Sequence, residues 1–136
     1  MLRYLLDTNV ASQPMLKTPS LSVLRKLSTI ADECAIAAPV WHELQFGCRR
    51  LPAGKRREAL REYLADVAST FEILPYDDAA AKQHAMERAR LEELGTTAPF
   101  VDGQIAAIAQ TNDLILVTNN ERDFAPFTAL IVENWA

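Results

Sequence analysis

The chain has 136 residues, 49% of them hydrophobic and 24% charged, an ordinary composition for one compact globular unit, so a single domain over 1–136 is expected. At this length folding buries roughly 65–70% of the surface that the unfolded chain exposes, and an apolar core forms without disulfide or metal staples. A net charge of −4 with a pI of about 5.2 excludes a protein that holds nucleic acid by bulk positive charge alone.

The chain opens with Met-Leu-Arg-Tyr-Leu-Leu-Asp. It lacks the basic start and long apolar run of a secretory leader, and no later run is long enough to span a bilayer, so a soluble, cytoplasmic protein without a membrane partner is expected. Leu2 to Leu6 reads as a buried strand closed by Asp7-Thr8-Asn9. Ser20 to Ala31 has helical period. Cys34 to Ala38 is a second apolar strand, closed by Pro39. Cys34 and Cys48 lack metal-ligand spacing and read as reduced thiols.

Trp41 to Cys48 and Arg56 to Ser69 read as helices, and Pro52 and Gly54 between them mark the turn of a helical hairpin. Phe71 to Leu74 is a strand. Asp78 to Leu94 is a helix with Asp78 at its start and Gly95 just past its end. Val101 to Thr111 is a helix, Leu114 to Val117 a strand ending at Thr118-Asn119-Asn120, and Leu130 to Val132 the last strand. Strands alternating with helices predict a parallel sheet covered on both faces.

In an open parallel sheet, ligands bind beyond the carboxyl ends of the strands, where the strand order reverses. Asp7 closes the first strand and is expected at that edge. Glu43, expected in the first turn of the Trp41 helix, and Asp102, opening the Val101 helix, can reach the same edge. Asn120 and Asp123 follow the fourth strand and arrive there too. Carboxylates gathered within several ångströms raise one another's pKa unless cations neutralise them. Divalent metal is the economical partner, and magnesium typically takes one or two carboxylates plus water and phosphate oxygens. Phosphodiester hydrolysis follows as the expected chemistry, and bound cations would locally offset the acidic charge.

Each of these residues also has an ordinary structural use. Asp7 and Asp102 can cap helices, and a Glu early in a helix favours the dipole. His42 is adjacent to Glu43 but points elsewhere on a helix, so it is not expected to bind metal. His84 is expected on a solvated face, Trp41 and Trp135 in the core or an interface. The basic run Arg49, Arg50, Lys55, Arg56, Arg57 and Arg61 reads first as a solvated hairpin and second as a phosphate contact.

Together these segments resemble the PIN-domain ribonucleases of the VapC toxin type and their FitB-like relatives. The resemblance rests on Leu5-Leu6-Asp7-Thr8-Asn9, on Val40-Trp41-His42-Glu43-Leu44 with Gly47, on Asp102-Gly103-Gln104-Ile105-Ala106, and on Leu116-Val117-Thr118-Asn119-Asn120 through Asp123-Phe124. It covers nearly the whole chain, including the closing Val132-Glu133-Asn134-Trp135. It implies a three-layer α/β/α fold around a central, mainly parallel, five-stranded sheet, and a site in which Asp7, Glu43 and Asp102 hold Mg²⁺ or Mn²⁺. The family's fourth acidic position falls on either Asn120 or Asp123, and Thr118 supplies a hydroxyl near the site. Further implications are a toxin paired with a small VapB-type antitoxin, a homodimer, and a structured RNA substrate such as tRNA or ribosomal RNA.

Two other functions compete with the ribonuclease. A non-catalytic binding module on the same fold would take the uncharged Asn120 as a lapsed site. An aspartyl phosphotransferase would use Asp7 as nucleophile, but the position that must hold its general acid is Asn9.

Overall fold

The computed structural model describes residues 1–136. Five strands, β1 (Tyr4–Leu6), β2 (Cys34–Ala37), β3 (Glu72–Leu74), β4 (Ile115–Val117) and β5 (Val132–Glu133), form one parallel sheet in the order β3-β2-β1-β4-β5. β1 and β2 are buried throughout and β4 nearly so, whereas the edge strands β3 and β5 are partly exposed. Continuous apolar runs such as Tyr4-Leu5-Leu6 and Cys34-Ala35-Ile36-Ala37 suit strands covered on both faces.

Seven helices connect them: α1 (Thr8–Ala11), α2 (Leu21–Ile30), α3 (Ala38–Arg49), α4 (Lys55–Thr70), α5 (Asp78–Glu93), α6 (Phe100–Thr111) and α7 (Glu121–Phe124). The chain moves from β1 outward to β2 and β3, then returns past β1 to β4 and β5. Right-handed crossovers put the helices of these two halves on opposite faces, giving the expected three layers. The strand order therefore reverses between β1 and β4. No helix is long and apolar enough to cross a membrane.

The core joins Leu5, Leu6, Ile36, Val40, Ile105, Ile108, Leu116, Val117 and Phe124, all essentially inaccessible. Helix α6 is apolar around most of its surface, from Ile105 to Ala109, because it lies between the sheet and α5. Trp135 is buried edge-on against Tyr4, with ring centroids 5.1 Å apart. Trp41 is half-buried against the core, and both thiols are free and buried.

Several local readings need correction. Pro39 does not close β2; it occupies the first turn of α3, where its missing N–H is not needed. The helix thus starts earlier than Trp41, and Glu43 falls in its second turn. Asp77, not Asp78, caps α5, accepting from the Ala80 amide at 2.9 Å. Gly95 does end α5, at φ 72°, where the Gly95 and Thr96 amides bond back to Glu92 and Leu91.

His84 is buried, not solvated. Ala80, His84, Glu87 and Leu91 form the buried face of α5, and its Nδ1 lies 2.8 Å from the Tyr76 hydroxyl. The polar members of that face are hydrogen-bonded, His84 to Tyr76 in the loop before α5 and Glu87 to Gln110 of α6 and to Thr128, an arrangement that periodicity of apolar residues alone does not show.

Candidate active site

The site lies at the carboxyl ends of β1 and β4, the crevice at which the strand order reverses. The parallel register pairs Leu6 with Val117, and the Asp7 amide continues the ladder to the Val117 carbonyl at 2.9 Å. The next residues on each strand are Asp7 and Thr118, and their side chains meet: the Thr118 hydroxyl donates to Asp7 Oδ2 at 2.8 Å.

Asp7 is also the N-cap of α1, accepting from the Thr8 amide at 2.8 Å. The ordinary structural use and membership of the cluster therefore coincide in one side chain. The Thr8 hydroxyl donates to Glu43 Oε2 at 2.8 Å, tying α3 to the end of β1. Asn9 accepts from the Asn119 amide at 3.1 Å through Oδ1, while its Nδ2 lies 3.4 Å from both Asp7 Oδ2 and Thr118 Oγ1.

Thr8 and Asn9 were not singled out as site residues from the sequence. The available signal was their position: a helix that starts directly on Asp7 turns the next two side chains back across the strand ends.

Asp102 stands in the first turn of α6, which begins at Phe100 after Pro99, one residue before the expected Val101. Its carboxyl is pushed up to about 6 by burial, then by the charges of Asp7, Asp123 and Glu43. The Asp7 carboxyl is likewise raised, chiefly by burial and further by Glu43 and Asp123, against the lowering hydrogen bonds from Thr118 and Thr8. Carboxylates from the end of β1, from α3, from α6 and from α7 thus share one field.

Both candidates for the fourth acidic position, Asn120 and Asp123, are exposed, and they differ in charge. Asp123, on α7, acts electrostatically on both Asp7 and Asp102. Asn120 is exposed; its backbone amide donates to Thr118 Oγ1 at 3.0 Å, and its side chain does not cap α7. Thr118 is fully buried, donating to Asp7 and accepting from Asn120 and Asn9. His42 is exposed and lies beside Phe46, with ring centroids 6.3 Å apart.

The donors at this edge are carboxylate, hydroxyl and amide oxygens, a hard set suited to Mg²⁺ or Mn²⁺ rather than to zinc. In this arrangement no three acidic, histidine or cysteine side chains are grouped closely enough to hold a metal ion, and magnesium typically takes only one or two carboxylates and completes its shell with water.

Comparison with known proteins gives the same class. The PIN domain family model matches residues 4–128. The tRNA(fMet)-specific endonuclease VapC of Shigella flexneri is 31% identical, with 100% of each chain covered. Toxin FitB of Neisseria gonorrhoeae is 31% identical over 96% of this chain and 97% of that protein. Among solved structures, DNA-bound VapBC from Salmonella typhimurium superposes with a TM-score of 0.89 at 27% identity, covering 100% of both chains. The chain belongs to the PIN-domain family, in the group of the VapC and FitB proteins.

Proposed function

We propose that this protein is a divalent-metal-dependent endoribonuclease, the toxin of a type II toxin–antitoxin pair. The observation that carries this reading is that the Asp7 and Asp102 carboxyls, at the strand-order reversal, both feel the charges of Glu43 and Asp123 from two further elements. The whole chain, 1–136, acts as one PIN unit. Asp7, Asp102 and Glu43 hold Mg²⁺ or Mn²⁺, and Asp123 supplies the remaining negative charge. Because Asp123 carries that charge, the neutral Asn120 is no sign of a lapsed site, and the binding-module reading loses its main argument.

When bound, the cation supplies a more acidic water and compensates the charge of the phosphate. Asp7, Asp102 and Glu43 would hold the hydrated ion, with Glu43 fixed by the Thr8 hydroxyl. Thr118 fixes the Asp7 carboxylate, and the Asn120 amide fixes Thr118. The products are a 5′-phosphate and a 3′-hydroxyl.

The tRNA-specific name of one relative supports a structured RNA substrate, cut in a loop whose unpaired bases can be read. The VapBC assembly of another supports a VapB-type antitoxin as partner. The exposed Arg49, Arg50, Lys55 and Arg56 of the α3–α4 hairpin offer phosphate contacts. In a homodimer two such hairpins would flank the RNA. Action in the cytoplasm follows from that substrate.

The test is cleavage of tRNA and total RNA by antitoxin-free protein in Mg²⁺, Mn²⁺ or EDTA. Discrete fragments with 5′-phosphates are expected only with metal, and none from Asp7→Asn, Glu43→Gln or Asp102→Asn. A fully active Asp7→Asn protein would overturn the assignment.

A further inference from the structure

A cavity of about 430 Å³ opens between α5, the first turn of α6 and the loop joining them. It lies in the size range of small-ligand sites. Its lining includes His84, Arg88, Glu92, Thr96, Phe100 and Gly103. Gly103 directly follows Asp102, so one wall of the cavity is continuous with the candidate active site. None of these six side chains takes part in the carboxylate network.

The wall is built rather than incidental. His84 is only 5% exposed, and its Nδ1 is taken by Tyr76. Nε2 faces α6 where that helix has no side chain, for a Cβ on Gly103 would stand 2.3 Å from it. Burial and the nearby Arg88 charge lower the His84 pKa, so the ring is neutral near pH 7. The Arg88 guanidinium lies over the Phe100 ring, 5.4 Å from its centroid. Neither Arg88 nor Glu92 belongs to any ion pair of the structure.

A flat guanidinium on an aromatic ring and an exposed carboxylate one helical turn away suit a ligand with a π-face and a mixed donor and acceptor edge. Nucleobases have both, and single-stranded bases are read by stacking on Arg or aromatic planes and by bonds to their edges. The carboxylate selects among them. It only accepts hydrogen bonds, and guanine alone offers two adjacent donors, N1–H and N2–H₂, on its Watson–Crick edge. Guanine O6 and N7 then suit a cationic donor such as Arg88.

We propose that this cavity is a base-recognition subsite for an unpaired guanine of the RNA substrate, with Glu92 reading N1–H and N2–H₂ and Arg88 supplying the stacking plane or the O6 contact. The assignment rests on the ribonuclease reading for its source of guanine, and on the cavity for its chemistry.

Two measurements on the full chain test it. Calorimetric titration with GMP, AMP, CMP and UMP in EDTA excludes metal-mediated phosphate binding. GMP is expected to bind about tenfold more tightly than the other three, and Glu92→Ala, at an exposed position, to erase that preference. Resonances of the His84 ring should shift with GMP. Equal affinity for all four nucleotides, or a GMP preference that survives Glu92→Ala, overturns the proposal.

The second measurement is cleavage, in Mg²⁺, of tRNA-like hairpins whose loop is randomised. Enrichment of guanine at one position beside the cut, lost in Glu92→Ala while total cleavage persists, supports the subsite. Cleavage with no guanine enrichment overturns it and leaves the nuclease standing. Absence of any cleavage together with Glu92-dependent GMP binding would overturn the nuclease instead, and make a free guanine nucleotide the ligand.

Discussion

The Thr118 hydroxyl donates to Asp7 Oδ2 at 2.8 Å from a side chain that solvent does not reach. Both residues stand one register position beyond the Leu6–Val117 pair, so the contact follows from strand pairing itself. Thr118→Val keeps the shape and removes the donor. Asp7 then loses a bond that holds its raised pKa down, and the Asn120 amide loses its acceptor. A cost of about 1–3 kcal/mol is expected in urea denaturation, with cleavage falling about 10–100-fold. Thr118→Ser should recover most activity; equal loss in both variants would mean that the methyl group, not the hydroxyl, matters.

Much of this site was legible in the sequence because its frame is strand pairing. Asp7 and Thr118 each follow an apolar run, and a parallel sheet brings such positions to one edge. Glu43 and Asp102 follow from helices that start beside that edge, although Pro39 and Pro99 shift both starts toward the N-terminus. The short helix α1 has too few residues to show a period, so the hydrogen bonds that Thr8 and Asn9 make at the site are not readable from the sequence. Nor was the α5–α6 contact, where a histidine and a glutamate occupy positions that apolar periodicity would leave polar and exposed.

The carboxyl cluster predicts that the metal-free protein is stabilised by removing charge. Asp102 holds a pKa of about 6 against an ordinary 3.8. Between those values the folded state keeps a proton that the unfolded chain has lost, so stability declines as pH rises from about 4 to about 6. The carboxyl is partly exposed, and solvent screening limits the effect to on the order of 1 kcal/mol. In EDTA at pH 7, Asp102→Asn should therefore raise the Tm, and added Mg²⁺ should stabilise the native protein more than the variant. A lower Tm for Asp102→Asn in EDTA would contradict the repulsion.

Gly103 is required by a neighbour rather than by its backbone angles. An added Cβ would lie 2.3 Å from His84 Nε2 and 2.7 Å from His84 Cδ2, and that ring is buried and tied to Tyr76. Gly103→Ala should cost about 1–3 kcal/mol, since neither helix can withdraw freely. His84→Ala vacates the space, so the double variant should be more stable than the sum of the two single losses predicts. Additive losses in thermal denaturation would show that the helices simply separate.

Glu87 makes the last prediction, and it concerns the fold alone. It is buried between α5, α6 and the segment before β5. It accepts from Arg90 Nε at 2.7 Å, from the Thr128 amide at 2.6 Å and from Gln110 Nε2 at 3.3 Å. Burial pushes its pKa up, but these donors outweigh burial and leave it below the ordinary 4.5. The ionised form is therefore favoured by folding: its contribution is complete above about pH 4.5 and disappears as pH falls through the lower folded value. Glu87→Ala removes the acceptor of four donors, the Thr128 hydroxyl at 3.3 Å being the fourth, and should cost about 2–3 kcal/mol at pH 7, whereas Glu87→Gln keeps an acceptor and should cost less. In urea titrations the gap between the native protein and Glu87→Gln should narrow as pH falls below about 4.5. A gap that stays constant down to pH 3 would mean that the carboxylate's charge contributes nothing and that the hydrogen bonds alone hold the three segments together.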